Sequence, residues 1–186
     1  MRNNKSDFVF VTGNLKKVFW LEKFLGRKVE HHALELEETQ SLDLVKIVEH
    51  KAREAYKHLQ KSVLIEDTSL AFAALGGLPG PFVKFFLESE RVGNAGMCKI
   101  LDNFDDRSAV ASVTYGFYDG KTFQSFGAEV NGMVSNVPRG GKGMGWDPIF
   151  IPDGQSKTYA EMSEVEHDKY SVRNKAVHKL KNEFIK

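Results

Sequence analysis

The 186-residue chain contains one cysteine, Cys98. A lone thiol closes no internal disulfide, and the absence of a Cys cluster excludes the usual structural zinc sites. A reducing, cytoplasmic setting is therefore expected. No run of 18 apolar residues occurs, so neither a membrane span nor a membrane partner is expected. Residues 1–7 are polar and lack the apolar core of a secretion signal, so the sequon Asn4-Lys5-Ser6 carries no expectation of a glycan. Charge of one sign is missing as well: 26 Lys and Arg face 25 Asp and Glu, for a formal net charge of +1. Chains that grip nucleic acid carry a basic excess or stripe, so no nucleic-acid partner is expected. The six histidines show no HExxH or similar spacing of a catalytic zinc site.

What is present is ordinary globular composition, 41% hydrophobic and 27% charged, in a length that suits one domain over 1–186. Residues 8–12 read as a buried strand, and Gly13-Asn14 then turns the chain into a helix over 15–25. A second strand is expected over 28–36. The clearest helix covers 41–61, where Leu44, Ile47, Val48, Ala52, Ala55 and Leu59 recur at helical spacing. Ser41 is its expected N-cap, and Lys51 is the one charge in its apolar stripe. Residues 63–65 form a short strand that is expected to stop at Glu66-Asp67. A Gly/Pro loop follows over 75–81, then helices over 82–90 and 95–103. Strands over 109–118 and 122–130 make a hairpin around Asp119-Gly120, with a third strand near 132–135. A glycine-rich loop over 139–147, a short strand over 149–151 and a helix over 171–185 that buries Ala176, Val177, Leu180 and Phe184 complete the chain. Strands and helices mix without strict alternation, which favours an α/β domain with a mixed sheet.

Two segments imitate nucleotide motifs. The run G-F-Y-D-G-K-T over 116–122 has three residues between its glycines where a P-loop needs four, and it lies in a hairpin. The glycines of 140–145 do not follow GxGxxG, and no crossover helix follows them.

Four other segments carry chemistry. A strand, a tight turn and a helix start at Thr12, Gly13 and Asn14 present backbone N–H groups that favour an anion, and Lys17 adds charge one turn in. The same pattern serves an ordinary capped helix. Glu66 and Asp67 past an apolar strand supply oxygen donors of the kind Mg²⁺ takes, with a third acid from Glu35, Glu37 or Glu38; a polar strand end is the plain alternative. The Gly/Pro loop ends in a helix start at Lys84. The loop Gly143-Met144-Gly145-Trp146-Asp147-Pro148 allows close backbone approach to a ligand.

In order along the chain, FVTGNLKK (10–17), VLIEDTSL (63–70), ALGGLPGPFVKFF (74–86), GWDPIF (145–150) and PDGQSKTYAEM (152–162) resemble the inosine triphosphate pyrophosphatase family, the non-standard purine (ITP/XTP) pyrophosphatases. The resemblance spans nearly the whole chain. It implies an elongated, two-lobed single α/β domain with a long curved mixed β-sheet, flanking helices and an active site in the cleft between lobes. It implies Mg²⁺-dependent cleavage between the α and β phosphates of ITP, dITP or XTP, with Mn²⁺ able to substitute, and a homodimer. By the same resemblance Thr12, Gly13, Asn14 and Lys17 hold the triphosphate, helped by Lys51, Thr68 and Lys84. Asp67 is a metal ligand and activates water, Glu38 is the second metal ligand, and Glu66 and Lys17 support catalysis. Met144, Gly145, Trp146 and Asp147 lie beside base and ribose, with His167, Val172 and Arg173 on the base side.

This chain departs from the family on that base side. The family has an aromatic residue where Met144 stands, and Ser-His-Arg where Ser171-Val172-Arg173 stands. Several relatives carry a lysine at His167, for which Lys169 is a nearby substitute. Losing a donor that reads a substrate oxygen can cost much discrimination. An altered or broadened base preference is therefore the alternative enzyme, and a nucleotide-binding regulatory module without catalysis is the alternative from another class.

Overall fold

The first strand, β1 (Val9–Val11), is buried on both faces and ends at the Thr12–Asn14 turn. The structure is a computed structural model and describes residues 7–141 and 143–183. The sequon at Asn4 and the helix end at Phe184 lie outside these residues. Helix α1 (Leu15–Leu25) has the expected bounds: the Asn14 side chain caps it, and Gly26 ends it in the left-handed region. The strand expected over 28–36 shrinks to β2 (His31–His32), both of whose residues are exposed.

Helix α2 (Leu44–Leu59) is capped by Asp43, which accepts from the N–H groups of Val45 at 2.9 Å and Lys46 at 3.4 Å. Ser41 is not the cap; its hydroxyl accepts from the Asp43 N–H instead, two residues too early to serve the helix. Leu44, Ile47, Val48, Ala52 and Ala55 are buried. A core joins Val9, Val11, Val48, Ala52, Ala55, Val63 and Ile65. Each Val or Ile fully buried there contributes about 1.5–3 kcal/mol. Gly116 is part of this packing, since a Cβ there would stand 2.8 Å from a Val48 methyl. The apparent phosphate-loop glycine is thus where helix meets sheet.

Strand β3 (Val63–Phe72) does not stop at the acids; it carries Glu66 and Asp67 in its middle. A 3₁₀ turn (Ala73–Leu75) and the two-residue strand β4 (Pro79–Gly80) follow within the Gly/Pro segment. The two expected helices are short: α3 (Val83–Leu87) and α4 (Gly93–Ile100). Strands β5 (Ser108–Tyr118) and β6 (Phe123–Val134) flank the Asp119–Thr122 turn, and the expected third strand is the continuation of β6. After β7 (Phe150–Pro152) and a 3₁₀ turn (Tyr159–Glu161) come a short helix with no counterpart in the sequence expectation and then the expected C-terminal helix. These are α5 (Glu164–Tyr170) and α6 (Val172–Glu183), divided at Ser171, whose φ of −56° and ψ of 121° leave the helical region.

The sheet runs β2-β1-β3-β5-β6-β7, with β4 on β3. The pairs β1–β2 and β1–β3 are parallel, whereas β3–β4 and β6–β7 are antiparallel, so the sheet is mixed as expected. The chain gathers into two compact units. One takes in the described residues up to Asp67, residues 113–128, and those from Lys175 onward; the other takes in residues 68–112 and 129–174. No helix among the described residues is long and apolar enough to cross a membrane.

Candidate active site

The first unit gathers an acid–lysine cluster. Strand β1 ends at Val11 while its neighbour β3 runs on to Phe72, so the turn into α1 falls alongside Glu66 and Asp67. In that turn the Thr12 hydroxyl accepts from the Asn14 N–H at 3.1 Å, and the Asn14 side chain accepts from the Lys16 N–H at 3.0 Å. Lys17 is turned inward. Its ammonium donates to the Glu66 carbonyl at 3.2 Å and stands 3.4 Å from the Glu66 carboxylate.

Successive residues of a strand point to opposite faces, so Glu66 and Asp67 meet different partners. The Glu66 side chain is fully buried and accepts from the Tyr115 hydroxyl at 2.7 Å. A buried carboxylate needs such donors to remain charged. Asp67 accepts from the Lys51 ammonium at 2.7 Å, and the same ammonium lies 2.7 Å from Glu38. Burial by itself would lower the Lys51 pKa; the charges and hydrogen bonds of Asp67 and Glu38 outweigh it, and the net shift is upward from 10.5. The odd charge in the α2 stripe is therefore an ammonium clamped between two acids.

Two ammonium groups face three carboxylates here, a net charge of −1. A phosphate chain needs positive charge to enter such a cluster. Glu38 and Asp67 are the hard oxygen donors a divalent cation takes, and Mg²⁺ commonly uses only one or two acids with water and phosphate oxygens. The donor set and its charge thus fit a divalent cation. Glu35 and Glu37, considered as a third acid, are exposed, and among the described residues no group of three or more His, Cys, Asp or Glu is poised around a metal position.

The second unit gathers the other predicted residues. In the glycine-rich loop the Asp147 carboxylate accepts from the Met144 N–H at 2.7 Å. Gly143, at φ +93°, passes so close to that carboxylate that a Cβ would collide with it. The Asn94 amide of α4 donates to the Gly145 carbonyl at 3.0 Å, and the Ala160 N–H donates to the Asp147 carbonyl at 3.1 Å. Burial pushes the Asp147 carboxyl up, opposed by the Met144 N–H and by the charges of His167 and Arg173; the net shift is upward. Trp146 and Val172 are buried, at 8% and 5% exposure, so both side chains present almost no surface to a ligand. Met144 is half-buried and Gly145 exposed. Thr68, next to Asp67 in sequence, is half-buried in this unit. Lys84 of α3 is largely exposed and lies 3.9 Å from Glu88, the residue just past the helix.

Tyr115, Tyr159 and Asn94 did not stand out as site residues in the sequence. Tyr115 is embedded in an apolar strand and reads as core. Tyr159 sits inside the matched PDGQSKTYAEM stretch, and Asn94 carried no signal.

The fold defines a mixed-sheet α/β protein that carries a clamped acid–lysine cluster. A model described as the Ham1 family matches residues 8–183, nearly the whole chain. The chain belongs to the Ham1 family. It is 43% identical over 158 residues to inosine triphosphate pyrophosphatase 2 of Trypanosoma cruzi (strain CL Brener), covering 84% of this chain and 80% of that one. It is 42% identical over 180 residues to inosine triphosphate pyrophosphatase of Batrachochytrium dendrobatidis (strain JAM81 / FGSC 10211), covering 95% and 93%. In fold it matches a HAM1 protein from Coxiella burnetii with a TM-score of 0.84 at 24% identity, over 96% of this chain and 98% of that one.

Proposed function

We propose that this chain hydrolyses non-canonical purine nucleoside triphosphates (ITP, dITP and XTP) to the monophosphate and pyrophosphate, removing them from the nucleotide pool. The observation that carries this reading is the Lys51 ammonium held 2.7 Å from both Glu38 and Asp67, beside the Thr12–Lys17 turn. The 42–43% identity to curated inosine triphosphate pyrophosphatases supports the choice of substrate.

The phosphate chain goes to the turn at Thr12, Gly13 and Asn14 and to Lys17 and Lys51, with Thr68 and Lys84 as further contacts. Asp67 orients a water and takes its proton as the water oxygen attacks the α-phosphorus. The bond from that phosphorus to the bridging oxygen breaks, and its electron pair leaves on pyrophosphate. Proton removal of this kind is worth about 10²–10⁴-fold. Lysines aimed at the leaving oxygens stabilise the charge that develops there. Mg²⁺, held by Glu38 and Asp67, supplies further positive charge to the phosphate oxygens when bound, and Mn²⁺ has the same ligand preferences. Glu66, pinned by Tyr115 and Lys17, keeps Lys17 in place. The purine goes to the residues around Asp147, with Met144, Gly145, His167 and Arg173 in contact and Trp146 and Val172 packed behind them. The whole chain acts as one cytoplasmic pyrophosphatase domain that pairs as a homodimer.

A second reading, altered base preference, is favoured by one observation: Val172 is buried and offers no donor where the family carries histidine. A panel of NTPs and dNTPs with pyrophosphate detection, with and without Mg²⁺, tests both readings. ITP and XTP turned over far faster than ATP and GTP supports the first. A different ranking supports the second. No pyrophosphate from any nucleotide leaves only the regulatory module.

A further inference from the structure

The break between α5 and α6 is held by a buried tyrosine from outside both helices. Tyr159 is 4% exposed. Its hydroxyl donates to the Tyr170 carbonyl at 2.9 Å, tying down the last residue of α5 at the break. Its ring lies 5.2 Å from that of Phe150 and, edge-on, 5.2 Å from that of His167. The next residue, Ala160, donates its N–H to the Asp147 carbonyl. The 3₁₀ turn carrying Tyr159 is itself fixed. Thr158 and Glu161 form a reciprocal capping box, the Thr158 hydroxyl donates to the Arg139 carbonyl at 3.0 Å, and Arg139 lies 3.5 Å from Glu161. One short turn thus touches the His167 ring, the last residue of its helix and the backbone of Asp147.

We propose that Tyr159 is a positioning residue for base recognition, its hydroxyl and ring fixing the end of α5, and with it His167, relative to the backbone of Asp147. The inference rests on the pyrophosphatase reading for the identity of the ligand. The hydroxyl is spent on a helix-end carbonyl that the break leaves without an intrahelical partner. Phenylalanine at 159 would keep the ring packing and lose that bond. The effect falls on recognition of the base and leaves the phosphate cluster of the first unit untouched.

The test compares binding of three ligands by calorimetry on wild type and Tyr159→Phe: ITP, IMP and inorganic tripolyphosphate, which has no base. Affinity for ITP and IMP falls about tenfold, the scale of one lost hydrogen-bonded constraint, while tripolyphosphate binds unchanged. In a His167→Ala background the same substitution adds no further loss, because the two act through one route. Unchanged affinity for all three ligands overturns the proposal. So does a parallel fall for tripolyphosphate, which marks general damage, or a full additive loss in the double variant. Should Tyr159→Phe fail to fold, Thr158→Val loosens the turn that carries Tyr159 with a side chain of the same shape, and the same comparison applies. A wild type that binds ITP without turning it over defeats the activity reading and leaves this comparison intact; one that binds neither ITP nor IMP defeats both.

Discussion

The Tyr115 hydroxyl donates to the Glu66 carboxylate at 2.7 Å in the buried centre of the sheet, and Lys17 closes the same carboxylate from α1. This pair makes an acid tolerable in the middle of a strand. Tyr115→Phe removes the donor and leaves the carboxylate short of a partner, which costs about 2 kcal/mol. For a chain of this size that lowers Tm by roughly 4–8 °C. A thermal melt within 1 °C of wild type, on about the same scale of precision, contradicts the account of how Glu66 is held.

Helix α5 carries a pH marker. The Lys157 ammonium, 2.8 Å away, together with the Ser163 N–H and hydroxyl holds the Glu166 carboxyl well below its usual 4.5, at about 2. A depressed acid contributes its stabilisation above the unfolded value and loses it as pH falls through the folded value. The α5 cap therefore persists through neutral pH and weakens from about 4.5 downward to about 2. Carboxyl NMR titration of Glu166 reads this directly, and Lys157→Ala moves the midpoint up toward 4.5. An unchanged midpoint in that variant contradicts the assignment.

Restoring the family histidine is expected to fail as a simple repair. Val172 is 5% exposed beside buried Ser171. A larger, polar ring placed there costs about 1–3 kcal/mol through overpacking and desolvation. Val172→His therefore lowers Tm and leaves the ratio of ITP to ATP turnover within about threefold of wild type, less than a lost hydrogen bond gives. A tenfold rise in that ratio at unchanged Tm means the position faces the base after all.

The sequence was legible where local chemistry decides. Helix α1 appeared with its bounds intact because Asn14 caps it and Gly26 ends it. Helix α5 was missed because its sequence has no apolar stripe, and Val165 is 82% exposed. The Ser163–Glu166 capping box was its available signal. Strand β3 was cut short at Glu66 because two acids look like a strand end; Lys17, Tyr115 and Lys51, which pair with them, arrive from 16 to 49 positions away. The same distance explains the site. Lys51 was conspicuous as a charge in an apolar stripe, whereas Tyr115 was indistinguishable from core, because its one informative feature is a partner on another strand.

The proposed mechanism has Asp67, clamped by Lys51 beside Glu38, activate water against a bound nucleoside triphosphate. Pyrophosphate release from ITP in the presence of Mg²⁺, measured for wild type and Asp67→Asn alongside ITP binding, tests it most directly. The account predicts turnover by wild type, a loss of about 10²–10⁴-fold in the variant, and ITP binding retained by both. Equal turnover by the two proteins, or none from wild type, contradicts it.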